Sequence, residues 1–225
     1  MAVHLSEAEH RQVSDAVKAA EANTAGEIVT VVAGRSDGYS DIALAWAAIV
    51  AFTAIAFLAF FPGFYLGLVD RVTGNWNAEW SPRGIFSLAL AVGILKFGAM
   101  WLLLLWKPLR FLLIPGPIKS ARVRGRAVAV FKAAAERRTH GRTGILIYLS
   151  MDEHRAEIVA DEAIVGKVSP EVWGEAMAAM LAEIRQAHVG AGMAAAVERV
   201  GKVLAEHFPR AEDDRNELPD RLIEL

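Results

Sequence analysis

The chain contains no cysteine. That excludes disulfide staples, thiolate metal sites and cysteine nucleophiles, and it agrees with a reducing compartment without requiring one. An excess of one charge sign is also missing. Lys and Arg number 24 against 26 Asp and Glu, a net charge of −2, so bulk electrostatics favour no particular partner. There is no Walker A loop and no G-x-S-x-G elbow. The six histidines are scattered without H-x-x-x-H spacing, which leaves a histidine metal site unsupported. No apolar signal-peptide core follows Met1. The chain runs straight into Leu5-Ser6-Glu7-Ala8-Glu9, a polar helix start, and the first apolar span is expected to act as its own targeting signal.

What the chain has in quantity is apolar length. Ile42 to Val69 carries no charge, and Gly84 to Trp106 carries only Lys96. Each run exceeds the roughly 20 apolar residues that cross a bilayer core. They read as two transmembrane helices forming a hairpin. A helix over the whole first run would reach about 42 Å against a core of about 30 Å. Pro62-Gly63 is the natural break, which puts the crossing at 42–61 and leaves 62–69 near the interface. Trp76 and Trp80 in the turn, and Trp101 and Trp106 near the end of the second run, fit interfacial indoles. The turn holds only Arg71 and Arg83, whereas Lys107, Arg110, Lys119, Arg122, Arg124 and Arg126 follow the second run. By the positive-inside rule that flank is cytoplasmic. Both termini and the soluble domain are then expected on the cytoplasmic side of a bacterial inner membrane.

The flanking segments read as one α/β domain. Ser6 and Glu9 form an S-x-x-E capping box. Val13, Ala16, Val17 and Ala20 recur at helical spacing, so 6–22 is expected to be helical. Glu27 to Ala33 and Gly144 to Ser150 are short apolar runs of buried-strand type. His154 to Ala160 alternates as a third strand, antiparallel to the second. Lys119 to Arg138 is a basic amphipathic helix with Val123, Ala127, Val130, Phe131 and Ala134 on one face, ended by Thr139-His140-Gly141. Lys107 to Ile118 is a proline-rich interfacial elbow. Ser169-Pro170 starts a helix with Trp173, Met177, Met180 and Ile184 on its apolar face. Gly190 and Gly192 are expected to separate it from a last helix faced by Met193, Val197, Val200, Leu204 and Phe208. Residues 210–225 read as an extended or loosely docked charged tail. The first two strands would be parallel, joined through the 119–138 helix as a right-handed crossover. The hairpin is then an insertion in that crossover.

Thr24-Ala25-Gly26-Glu27-Ile28-Val29 after the Leu-Ser-x-x-Glu helix, Gly144-Ile145-Leu146-Ile147, a tight turn with Arg155, and a strand rising to Asp161 together resemble the TPM domain. That family is named for a thylakoid-lumen protein, a photosystem II repair protein and an acetylcholine-receptor modulator. The resemblance covers most of 4–38 and 119–209. It implies an α/β/α sandwich with a small mixed sheet, here interrupted by the transmembrane hairpin. It also implies either acid phosphatase or calcium-binding activity, or an accessory role in membrane complexes. The family's G-x-G-x-E stretch is absent, and Ala160-Asp161-Glu162-Ala163-Ile164 stands there instead. The expected layout is 1–38 and 119–209 as two parts of one domain, 39–118 as hairpin and elbow, and 210–225 as tail.

Several constellations bear on function. The topology places Glu27, Thr143, Asp161 and Glu162 at one sheet edge. Glu27, Asp161 and Glu162 are candidate oxygen ligands for Ca²⁺ or Mg²⁺, or simply solvate the edge. The opposite edge carries Asp152, Glu153, His154 and Arg155, an acid–base set or a polar turn. Gly190-Ala191-Gly192 offers amides to an anion or makes a helix–helix turn. Lys107 to Arg142 holds ten basic residues against Glu136. That stretch is either topogenic charge or a contact for anionic headgroups. No aromatic platform accompanies it, so nucleic acid is not expected. Lys96, near the middle of the second span, snorkels or meets a carboxylate on another membrane protein or a second copy. The leading functional reading is a membrane-anchored, non-enzymatic accessory or interaction factor. The alternative is a divalent-metal-dependent acid phosphatase.

Overall fold

The structure, a computed structural model, describes residues 5–74, 80–134, 142–169, 171–210 and 217–225. Trp76, Pro170, the 139–141 helix stop and the last residues of the basic helix lie outside these. The chain divides into two compact units, 1–37 with 116–225, and 38–115.

The first unit is built on a four-stranded sheet, β1 (Glu27–Ala33), β2 (Gly144–Ser150), β3 (Arg155–Ala160) and β4 (Ile223–Glu224), in the order β3-β2-β1-β4. β1 and β2 pair in parallel from Glu27↔Gly144 to Ala33↔Ser150, and β3 runs antiparallel to β2. Every residue of β1 and β2 is buried, as expected of parallel strands covered on both faces. One face packs on α1 (Glu7–Glu21), α8 (Val172–Ile184) and α9 (Val189–His207). There Ile28, Val32, Ile145, Ile147 and Leu149 meet Val13, Val17, Met180, Met193, Val197, Val200 and Leu204. The other face packs on α6 (Gly116–Ala134), where Val29, Val31, Leu146 and Tyr148 meet Val123, Ala127 and Phe131. This is an α/β/α sandwich. The expected capping box on α1 is complete: Ser6 Oγ accepts from the Glu9 N–H, and the Glu9 carboxylate accepts from the Ser6 N–H.

Two sequence expectations change. Gly190 and Gly192 do not separate the last helices but lie in the first turn of α9. A Cβ on Gly190 would sit 2.7 Å from the Glu9 Cβ, and one on Gly192 would sit 2.8 Å from the Met180 carbonyl oxygen. These glycines serve close approach, and the chain turns earlier, at Ala187, with φ +64°. The C-terminal segment is also not a loose tail. Ile223 and Glu224 pair in parallel with Val31 and Val32, and Leu218 and Leu222 are buried.

The second unit contains α2 (Ser40–Phe60), α3 (Pro62–Thr73), α4 (Pro82–Leu103) and α5 (Lys107–Leu113). The helix breaks at Pro62, as expected. Phe57, Phe61, Phe64 and Tyr65 stack around the break, with ring centroids 4.8–6.0 Å apart. α2 and α4 are long and apolar enough to cross a membrane, with mean hydropathy 2.4 and 1.9. α2 turns a small-residue stripe of Ala43, Ala47, Ala51 and Ala54 inward. Gly93 of α4 lets Ile55 approach so closely that a Cβ there would lie 2.8 Å from its Cδ1. Small residues of this kind allow close helix contact where no hydrophobic effect is available.

Gly201 of α9 lies so close to α1 that a Cβ would meet the Ala20 Cβ at 2.5 Å and its Cα at 3.2 Å, whereas Gly125 of α6 faces open space. Gly201→Ala is expected to destabilise the domain by about 1–3 kcal/mol, because two packed helix backbones must separate. Gly125→Ala is expected to stabilise it by up to about 1 kcal/mol through helix propensity. Urea unfolding of the detergent-solubilised chain, followed by circular dichroism, checks both signs.

Candidate functional site

Two ends of the sheet hold polar groups. At the first, the backbone juxtaposition expected from the sequence is present. The Glu27 N–H donates to the Thr143 carbonyl (3.2 Å) and the Asp161 N–H to the Gly144 carbonyl (2.9 Å). The side chains then diverge. The Glu27 carboxylate, 4% exposed, accepts the N–H groups of Glu217 (3.2 Å) and Leu218 (3.1 Å). Thr143 donates its hydroxyl to the Ala25 carbonyl at 2.8 Å. Asp161 is buried, with Oδ2 lacking a hydrogen-bond partner among the described residues. Glu162 turns to solvent, where Arg142 pairs with it at 3.1 Å. Among the described residues no three His, Asp or Glu side chains gather closely enough to hold a metal ion. The expected set of Glu27, Asp161 and Glu162 is thus adjacent in backbone but separated in side chain, because Glu27 serves as an acceptor for the C-terminal segment.

A group that the sequence reading missed lies beside Glu27. Glu21, at the end of α1, is 8% exposed. Its Oε1 accepts the Ile28 N–H at 2.7 Å. Burial, with the neighbouring Glu27 and Asp220 carboxylates, pushes its pKa up to about 8, against the opposing effect of the Ile28 hydrogen bond. Nothing local in the sequence marks this, since Asp220 is nearly two hundred positions away.

The second end lies at the carboxyl ends of the parallel strands, where open α/β sheets place their sites. The ladder runs on past the strands, with the Met151 and Asp152 N–H groups donating to the Ala33 and Gly34 carbonyls at 3.0 Å. This holds two loops side by side and gathers Ser36, Tyr148, Ser150 and Glu153. The Ser36 N–H donates to Glu153 Oε1 (3.0 Å), and its hydroxyl donates to Ser150 Oγ (2.8 Å) and lies 3.1 Å from the Tyr148 hydroxyl. Ser150 in turn donates to Glu153 Oε2 in a short bond of 2.5 Å. Tyr148 and Ser150 are fully buried and Glu153 is 2% exposed. Burial raises the Tyr148 pKa above its ordinary value, with the Ser36 hydrogen bond opposing. Of this network the sequence reading named only Glu153. A Ser closing a parallel strand with an acid three positions on was the available signal. Asp152 flanks the network, His154 is exposed with φ +51°, and Arg155 donates to the Ser120 hydroxyl and the His154 carbonyl.

The basic residues divide between the units. On α6, Arg122 pairs with Asp37 at 3.0 Å and Arg124 with Glu157 at 3.4 Å, while Arg126 is exposed and Lys119 half-buried. On α5, Arg110 donates to the Gly38 carbonyl and Lys107 is exposed. Lys96 is exposed on α4. The amides before α9 have the chain's own anion: the Gly190 N–H points at Glu9 Oε1, 3.4 Å away. Hydrogen bonds, chiefly from Ser6, hold the Glu9 carboxyl below its usual range.

Removing Glu153 would leave the Ser36 amide and the Ser150 hydroxyl buried without their acceptor. Glu153→Ala is expected to destabilise the domain by about 1–3 kcal/mol. Ser36→Ala is expected to have a smaller effect, because Ser150 and Glu153 remain bonded. Denaturant midpoints of the two variants check the order.

Residues 117–203 match the family model described as "TPM domain". None of the curated proteins matches the chain. Among solved structures, the fold is similar to the NMR structure of BA42 protein from the psychrophilic bacterium Bizionia argentinensis. The TM-score is 0.56 at 19% identity, over 98% of this chain and 95% of that one. At that identity the likeness speaks for the fold alone. The α6–β2–β3 core, the helices that follow it and the family match coincide: this chain carries a TPM domain, recognised over residues 117–203.

Proposed function

We propose that the chain is a two-pass protein of the bacterial inner membrane whose TPM domain acts as a non-enzymatic accessory or interaction factor for a membrane complex. The observation that carries the membrane part is the exposure of α4, since only 6% of its most apolar window is buried. Phe86, Leu90, Ile94, Leu95 and Leu102 all stand exposed on it. A water-soluble protein does not leave such a surface open, whereas lipid tails cover it. The basic residues Lys107, Arg110, Lys119, Arg122, Arg124 and Arg126 place the domain on the cytoplasmic side and suit contact with anionic headgroups.

The accessory reading follows from how the site's groups are spent. The buried hydroxyls and the Glu153 carboxylate bond to one another, and Glu27 bonds to the C-terminal amides. Such a domain is a stable platform, and specificity then comes from its surface and its hairpin. Lys96 supplies a charge in the span that favours a carboxylate on a partner helix or on a second copy.

The detergent-purified chain is expected to show no phosphatase turnover above background with Ca²⁺ or Mg²⁺ present. Metal-dependent turnover that disappears in Asp161→Ala would establish the phosphatase reading instead. Lys96→Leu is expected to lose a co-purifying membrane protein or to change the oligomeric state in native membranes. An unchanged complex removes the partner role of Lys96.

A further inference from the structure

The C-terminal residues 217–225 cross the sheet edge as a strap with three fastenings. At its start, the Glu27 carboxylate takes two consecutive backbone N–H groups, those of Glu217 and Leu218. Leu218 then enters the core on the α6 face, and Leu222 enters the core on the opposite face. The strap therefore wraps the free side of β1. At its end, the Leu225 N–H donates to the Val32 carbonyl (3.0 Å), and the Gly34 N–H donates to the Leu225 carbonyl (2.9 Å). Glu224 accepts from the Leu5 N–H (2.9 Å) and lies 3.0 Å from His10 Nε2.

Between these fastenings the strap meets a repulsive contact. Asp220 faces Glu21, and Glu27 stands on the other side. Glu21 Oε2 is buried and has no hydrogen-bond partner that meets strict geometry. Two carboxyl groups brought together out of water tolerate only one charge between them. On the outer side the strap is open. Clefts of about 490 and 390 Å³ run along its seam with α1, one lined by His10, Arg11, Ser14, Arg221 and Glu224, the other by Ser14, Lys18, Leu218, Asp220 and Arg221. Lys18 and Arg221 line the same cleft as Asp220, so the cationic side of the seam faces water while the acidic side faces inward.

We propose that residues 217–225 are a detachable strap whose seating depends on one proton held between Glu21 of α1 and Asp220 of the strap, so that rising pH releases the strap and bares the β1 edge. Only the short β4 pairing, two amide bonds to Glu27 and two leucines must be undone. Release frees the Gly34 N–H and the Val32 carbonyl, the two groups a strand-adding peptide uses. The sign follows from linkage. Glu21 binds its proton more tightly with the strap seated, in a carboxyl raised to about 8. Seating is therefore strongest below the ordinary carboxyl range, weakens as pH rises through that window, and levels off above about pH 8.

Hydrogen exchange measured by mass spectrometry on the detergent-solubilised full chain, with intrinsic rates removed, tests this. Between pH 5.5 and 8.5 the protection of 217–225 is expected to fall more than about tenfold relative to that of β2. Glu21→Gln keeps the acceptor for the Ile28 N–H and is expected to flatten the profile. Asp220→Asn is expected to do the same and covers the case in which Glu21→Gln does not fold. His10→Gln separates the Glu224 contact and is expected to retain the wild-type profile. A strap whose relative protection does not change with pH overturns the proposal. So does a fall that persists in both Glu21→Gln and Asp220→Asn, or one that disappears in His10→Gln.

Discussion

The parallel pairing of β1 with β2 is the interaction on which the rest of the first unit depends. A parallel pair cannot be closed by a hairpin turn and needs a crossover. It also buries both faces of both strands, so helices must cover each side. α6 covers one face as the end of the crossover, and α1, α8 and α9 cover the other. The same pairing sets Ala33 beside Ser150 and so aligns the loops that carry Ser36 and Glu153. Without this register, neither the second core nor the buried hydroxyl network would exist.

The crossover is also where the second unit enters the chain. The connection between β1 and α6 contains α2, α3, α4 and α5 before the crossover helix starts at Gly116. An insertion at that point is tolerated because loop-closure entropy grows only slowly with length. Its two ends belong to elements already held by the sheet. The domain thereby keeps its fold whatever sequence the insertion carries, provided the chain returns.

Much of this architecture was legible in the residues. The capping box of Ser6 and Glu9, the apolar runs of β1 and β2, the alternation of β3 and the apolar stripes of α1, α6, α8 and α9 are local patterns, and each reports its own element. Hydropathy alone located α2 and α4, and Pro62 marked the break. What escaped the sequence reading depends on distance along the chain. β4 is two residues in a polar context, and it is a strand only because the β1 edge is there to receive it. Gly190 and Gly192 looked like a turn because their reason, contact with Glu9 and Met180, lies in other helices. Glu27 was read as a ligand because nothing nearby showed that two amides near the C-terminus would claim its oxygens.

The position of the hairpin has a consequence for how the protein is made. Ser36 and Glu153 stand 117 positions apart, and both apolar helices lie between them. During synthesis, α1 and β1 emerge first, with a fully apolar strand and no neighbour to pair with. The two apolar helices emerge next, and only afterwards do α6 and β2 appear to complete the sheet. An early strand must therefore wait through the delivery of an entire hairpin before its first ladder can form. Such delayed, long-range pairing is slow and exposes strand edges. Biogenesis of this protein would then be timed by the hairpin, and the moment of greatest vulnerability to aggregation would come before β2 is translated.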